Sequence, residues 1–222
     1  MGKPELIVML TFNDHTVENA YEIFSECKDT PVRFWGMKED GIPTKEMKRV
    51  FAYMKKLGKI TVLEVVAYTE NECLKGAEIA DECGCDMLIG TVFFDSVNEF
   101  CKEKGIKYMP YVGKVSQRPS ILEGNAEDMI NEAHSYAEQG AYGINLLGYR
   151  HTSEPYCLSK RVVAEADVPL CLAGGINSYE ILAQVKEISP WAFTIGSAFF
   201  EKRFGETFKE QIENVYNYIV NS

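Results

Sequence analysis

The sequence predicts a single α/β domain, a (β/α)8 or TIM barrel spanning residues 1–222. Three observations predict it. Eight short runs are rich in Val, Ile, Leu and aromatic residues and barely interrupted by charge, the mark of parallel strands buried on both faces. Each run is followed by a segment with helical periodicity. The gaps between successive run starts are 20 to 36 residues, close to the length of one strand–helix–strand unit. Eight such units close into a barrel. The main alternative, an open doubly wound sheet, loses support because no G-x-G-x-x-G segment is present.

Taken in order, the expected strands are Glu5–Thr11, Val32–Lys38, Ile60–Val66, Met87–Val92, Lys107–Gly113, Gly143–Tyr149, Pro169–Gly174 and Ala192–Ala198. The expected helices begin with Thr16–Cys27, opened by a hydroxyl residue. Thr44–Leu57 is amphipathic and stops at Gly58. Thr69–Cys83 opens on Thr69 and Glu72, the spacing of a capping box, and stops at Gly84. Asp95–Lys104 stops at Gly105 and Ala126–Gln139 at Gly140, as left-handed C-terminal caps require. Glu154–Ala166, Ser178–Ile188 and Thr207–Asn221 complete the set. No linker or low-complexity tract divides the 222 residues.

Composition narrows the function. With 23 basic against 33 acidic residues the formal net charge is −10, which argues against DNA or RNA as partner. A small phosphorylated ligand stays open, because a local pocket can hold it. The seven cysteines fit neither a disulfide framework nor a zinc ribbon and read as small buried hydrophobes in a reducing compartment. The first apolar run is too short to span a bilayer and lacks the features of a signal peptide. A cytoplasmic protein with no membrane partner is expected.

In such barrels the site lies on the loops after the C-terminal ends of the strands. Those ends offer Asn13, Asp14 and His15; Lys38; Glu64 and Tyr68; Thr91; Lys114, Ser116, Gln117 and Arg118; Tyr149, Arg150 and His151; and the last two loops. The seventh strand runs into Ala173-Gly174-Gly175-Ile176-Asn177-Ser178, just before a helix. The eighth carries Thr194-Ile195-Gly196-Ser197-Ala198-Phe199-Phe200. Glycines there let backbone N–H groups approach an anion, and a helix N-terminus adds a favourable dipole. On these two segments the chain resembles the ribulose-phosphate-binding barrel superfamily, which includes histidine- and tryptophan-pathway isomerases, indole-glycerol-phosphate synthase and sugar-phosphate epimerases. The resemblance implies a phosphate gripped at Gly174, Gly175, Asn177, Gly196 and Ser197, and does not assign a subfamily.

Glu64 lies inside an apolar strand. Facing the helices it would cost a large desolvation energy, so it is expected in the upper barrel, available for acid/base work or paired with a lysine. Lys38 and Lys114 end the second and fifth strands and are its candidate partners, as general acid, electrostatic clamp or, if desolvated, amine nucleophile. The polar stretch Gly113–Asn125 reads as a lid or binding loop, with Arg118 reaching a second anionic group. Arg150 adds a cation after the sixth strand. His15 and His151 lack helical metal spacing, so neither a metal nor a cofactor is expected. His134 reads as surface, and Trp35 and Trp191 as packing residues.

The leading expectation is an isomerase or epimerase acting on a small phosphorylated sugar or related metabolite. A Schiff-base aldolase or lyase on a phosphorylated keto acid is an alternative. The resemblance to small keto-deoxy-phosphogluconate aldolases is loose: those carry the glutamate one strand earlier and their lysine on the sixth strand, whose end here is Gly148-Tyr149-Arg150. A barrel that binds a phosphometabolite without chemistry is another alternative, since paired aspartates on the first and fifth strands and a D-x-K-x-x-D arrangement on the third are lacking. Phe208, Tyr216 and Tyr218 on the last helix face either the barrel or a homodimer partner.

Overall fold

The computed structural model describes residues 2–221, so the two end residues of the expected 1–222 domain lie outside it. Eight parallel strands form one sheet: β1 (Glu5–Met9), β4 (Phe34–Lys38), β5 (Ile60–Val65), β6 (Met87–Gly90), β7 (Lys107–Met109), β10 (Ile144–Leu146), β11 (Leu170–Leu172) and β12 (Ala192–Ile195). Their order is β10-β11-β12-β1-β4-β5-β6-β7. The two outer members meet as well. The Tyr142 N–H donates to the Tyr108 carbonyl at 3.0 Å and the Asn145 N–H to that of Pro110 at 2.7 Å. Tyr111 bridges Asn145 in parallel register, and the sheet closes into a (β/α)8 barrel.

Strand periodicity sorts the side chains into two layers. Ile7, Met9, Phe34, Val62, Met87, Ile89, Met109, Cys171 and Ala192 fill the lumen. The intervening residues, Val8, Trp35, Leu63 and Leu88 among them, join the helix-facing core. The outer helices are α1 (Ala20–Cys27), α2 (Thr44–Lys56), α3 (Glu70–Glu82), α4 (Asp95–Lys104), α5 (Ala126–Glu138), α6 (Pro155–Glu165), α7 (Tyr179–Ile188) and α9 (Phe208–Val220). A single turn, α8 (Ser197–Phe200), follows β12. Trp35 is fully buried with its ring edge-on to Phe24, and Trp191 packs against Phe34 and Tyr142, so both tryptophans are packing residues. No helix of the described residues is long and apolar enough to cross a membrane.

Several expected boundaries move, each for a local reason. Thr16 does not open a helix. It pairs with Thr11 in a small hairpin of β2 (Thr11–Phe12) and β3 (His15–Thr16), and its hydroxyl is taken by the Lys38 backbone. The fifth strand ends at Met109 rather than Gly113. Gly113 has a positive φ of 77°, and the chain leaves the barrel into a second hairpin, β8 (Lys114–Ser116) with β9 (Ile121–Glu123). The expected irregular loop is therefore largely ordered. The sixth strand stops at Leu146 and continues as a 3-10 turn over Gly148–Arg150.

The capping box expected at Thr69 is absent: that hydroxyl donates to the Glu72 carboxylate instead of accepting a backbone N–H. The box forms at Thr207 and Glu210, where it is worth about 1 kcal/mol. All seven cysteines are free, and six are buried, Cys157 being the exposed one. Phe208, Tyr216 and Tyr218 are half-buried and pack against the helix-facing core.

Candidate active site

The C-terminal mouth of the barrel holds a cavity of about 250 Å³. Its wall takes Gly174–Asn177 from the loop after β11 and Thr194–Ala198 at the end of β12. It takes Lys38 from β4, Glu64 from β5 and Asp14 from the β2–β3 turn. Arg150 and Tyr111 complete the charged and polar lining with Ser120, Thr11 and Glu201.

Lys38 and Glu64 meet for a topological reason. They are register partners on adjacent parallel strands, and alternation from Phe34 and Val62 points both into the lumen one layer above the apolar plug. Lys38 is 6% exposed and Glu64 9%. The Lys38 ammonium forms a close ion pair with Asp14 and lies 4.0 Å from Glu64 Oε2. The Thr16 hydroxyl donates to the Lys38 carbonyl at 2.9 Å and accepts its N–H at 2.8 Å, fixing the lysine's backbone. Burial alone would pull the ammonium's pKa down. The Glu64, Asp14 and Glu39 carboxylates outweigh it and hold Lys38 above its ordinary value, as a cation. Burial would likewise push the Asp14 carboxyl up, but Lys38 and Arg118 hold it below its ordinary value.

Arg118 sits at the tip of the β8–β9 hairpin and reaches back over the mouth. Its Nε donates to Asp14 at 2.8 Å, and its Nη2 lies 3.0 Å from Glu39 and 3.2 Å from Asp40. Tyr68 donates to the Gln117 carbonyl at 2.7 Å and Arg150 to that of Ser120 at 3.2 Å, so three side chains dock the hairpin tip. Arg118 is thus engaged with carboxylates, not free for a second anionic group. Burial raises the Glu39 pKa, and the backbone N–H donors and Arg118 offset this only in part.

The glycine segments form the opposite chemistry, a surface of backbone donors. Gly174 and Gly175 both take positive φ, 78° and 76°, which a side chain disfavours. A Cβ on Gly174 would fall 2.7 Å from Arg150 Nε, and one on Gly196 2.5 Å from the Thr11 hydroxyl. Among the described residues, the N–H groups of Gly174 to Asn177 find no protein acceptor. Ser178 caps α7, accepting the Ile181 N–H at 3.3 Å. The Ser197 hydroxyl accepts from the Asn13 N–H at 3.3 Å, and its own hydrogen meets no acceptor among the described residues. Free amides, a capped helix start and a guanidinium make a surface suited to a small anion.

Of the residues singled out from sequence, Glu64, Lys38, Gly174, Gly175, Asn177, Gly196, Ser197 and Arg150 therefore border one cavity. Lys114 does not. It is exposed on β8, opposite Glu123, because the chain turns out of the barrel one residue earlier. Arg118 stands above the cavity and is tied down there. His151 is structural: its Nδ1 accepts the Glu154 N–H, leaving Nε2 to donate to the Gly124 carbonyl. No group of three His, Cys, Asp or Glu side chains able to hold a metal occurs among the described residues. From the sequence Asp14 reads only as a strand-end polar residue; the Asn13-Asp14 pair signals the turn but not the contact with Lys38, which lies 24 residues on.

No family model and no curated protein matches the chain. Solved structures do, by fold. A native KDPGal structure is 14% identical with a TM-score of 0.70, over 99% of this chain and 94% of that one. Tryptophan synthase from M. tuberculosis is 12% identical with a TM-score of 0.68, over 98% and 93%. N-(5'-phosphoribosyl)anthranilate isomerase from Pyrococcus furiosus is 14% identical with a TM-score of 0.66, over 99% and 100%. At these identities the likeness is one of fold. That fold likeness covers nearly the whole of this chain.

Proposed function

We propose that the barrel is an isomerase or epimerase acting on a small phosphorylated sugar or related metabolite. One observation carries the reading: buried Lys38 and Glu64, with Asp14 beside the lysine, share a single cavity with the glycine turns and Arg150. The amides after β11 and β12 and the Arg150 guanidinium bind the phosphate. Glu64 removes a proton from a carbon next to a carbonyl, and the electron pair moves to the carbonyl oxygen. The Lys38 ammonium stabilises the resulting enediolate. Return of the proton to the former carbonyl carbon, as the neighbouring hydroxyl hydrogen passes to the enediolate oxygen, isomerises the substrate; delivery of a proton from a second acid to the opposite face of the first carbon, with Glu64 keeping the one it took, epimerises it. The sequence of steps is redox-neutral and consumes no co-reactant.

The charge state of Lys38 weighs against the Schiff-base alternative. An amine nucleophile must be neutral, whereas the Glu64, Asp14 and Glu39 carboxylates favour the protonated form of this one. Borohydride trapping with a 2-keto acid is therefore expected to leave Lys38 unmodified.

The direct test is proton exchange in D2O, followed by NMR, with a panel of phosphorylated ketoses and aldoses. The parent should exchange the hydrogen next to the carbonyl of at least one of them, inorganic phosphate should compete, and Glu64→Gln should abolish the exchange. Phosphate binding without exchange of any panel member would overturn the enzyme reading in favour of a binding barrel.

A further inference from the structure

The Tyr111 side chain is 3% exposed, and its hydroxyl has no hydrogen-bond partner. Buried hydroxyls are seldom left so, because the group loses water and gains nothing in return. Tyr108, two positions before Pro110, shows the ordinary outcome. It is equally buried, yet its hydroxyl meets Thr91 Oγ1 at 2.6 Å and the Val92 carbonyl at 3.2 Å. Among the described residues, the other buried polar side-chain atoms without partners belong to Thr30, Glu39, Asn98 and Tyr149. Of the five residues, Tyr111 alone borders the mouth cavity.

Its position is built in. The Tyr111 N–H donates to the Thr91 carbonyl at 2.9 Å, and its backbone bridges Asn145 where the barrel closes, so the ring cannot swing away with a loop. Gly90 makes room for the hydroxyl: a Cβ there would sit 3.1 Å from it. Glu64 and Asp14 are among the charges that act on the phenol, and together with burial they keep it protonated, a donor and not a base. On that side of the cavity the other hydrogen-bond donor, Lys38, is already engaged by carboxylates.

We propose that Tyr111 contacts the ligand directly, donating its hydrogen to an uncharged ligand oxygen, a carbonyl or hydroxyl, at the Glu64 side of the cavity. The oxygen is uncharged because a carboxylate in that place would meet Asp14 and Glu64. This rests on the reading of the glycine loops as the phosphate end.

Calorimetric titration of the parent and Tyr111→Phe with inorganic phosphate and with D-ribulose 5-phosphate tests it. Inorganic phosphate should bind both proteins alike, and the sugar phosphate should bind the variant about tenfold more weakly, the scale of one neutral hydrogen bond. Equal sugar-phosphate affinity in the two proteins overturns the proposal and leaves the phosphate reading standing. So does a parent that binds the sugar phosphate no better than phosphate itself. A parent that binds neither overturns the phosphate reading and, with it, this one. A readout without ligand guards the result: an unpaired hydroxyl stabilises nothing, so Tyr111→Phe should melt at or above the parent's midpoint. A fall of several degrees would show the hydroxyl to be structural and overturn the proposal.

Discussion

The two ends of the barrel are made of the same residue types and treat them differently. The floor, where the strands begin, also has a cavity, of about 640 Å³, lined by Phe34, Tyr142 and Trp191 and by several charges. There every carboxylate has its partners. Asp86 accepts from the Thr61 N–H and hydroxyl, both at 2.8 Å, and from Lys55 at 3.0 Å; Lys104 pairs with Asp81 and Arg33 with Glu5. These groups are a third to a half exposed in the main, and water shares the work. At the mouth Lys38 and Glu64 are buried, Glu64 touches its cation only at 4.0 Å, and a tyrosine hydroxyl is unpaired. Ion pairs at the floor finish the structure. Those at the mouth hold charge and hydrogen-bonding capacity in reserve, which is what a site for chemistry requires.

The largest separation between the two ends should appear in chemistry. Glu64→Gln keeps the shape of the side chain and removes its basicity, so the D2O exchange rate should fall about 10²–10⁴-fold. Asp86→Asn at the floor should leave that rate unchanged. An exchange rate equally insensitive to both would erase the distinction.

Stability should separate them next. Lys38→Met leaves the buried Glu64 without its cation and Asp14 with Arg118 alone, and should cost about 3–5 kcal/mol in urea unfolding. Lys55→Met, in a half-exposed pair, should cost about 0–1 kcal/mol. Similar costs for both would mean that burial at the mouth carries no special penalty.

Backbone changes give a smaller contrast. Gly175→Ala and Gly58→Ala both force a side chain into positive φ, 76° and 74°, at roughly 1–2 kcal/mol each. Only Gly175→Ala should also weaken inorganic phosphate binding, by about tenfold, since the Gly58 cap lies at the far end with open space around it.

The smallest effect is one of sign with pH. The Asp14 pKa is held below its ordinary 3.8, so its contribution is present above that pH and lost as pH falls through the lowered value. The Glu39 pKa is raised above 4.5, so its contribution is present below that pH and lost as pH rises through the raised value. Asp14→Asn should therefore destabilise at pH 7, with a gap that narrows toward pH 3. Glu39→Gln should stabilise at pH 7, with a gain that vanishes by pH 4. Urea midpoints across that range check both signs.

The contrast between mouth and floor was partly legible in the sequence. Strands buried on both faces announce themselves as apolar runs, and a glutamate or a lysine inside such a run has only the lumen to go to. Glu64 and Lys38 were legible for that reason. The paired glycine segments were legible because few other residues permit that backbone. Lys114 was misplaced because the run Lys107–Gly113 gives no sign that the strand ends at Met109 and that Gly113 turns the chain outward. Tyr111 was hidden in the same run, where an aromatic residue reads as core; whether its hydroxyl has a partner depends on neighbours from other strands. The Asp14–Arg118 contact joins segments 104 residues apart, and nothing local in either segment encodes it.

In the proposed function one cavity joins an anion-binding backbone to the Lys38–Glu64 acid–base pair. A crystal of the parent soaked in inorganic phosphate tests it most directly. Density for the anion is expected against the N–H groups of Gly175 and Ser197 and near the Arg150 guanidinium, with Lys38 and Glu64 facing it across the cavity. Phosphate bound elsewhere, with those amides left empty, would contradict it.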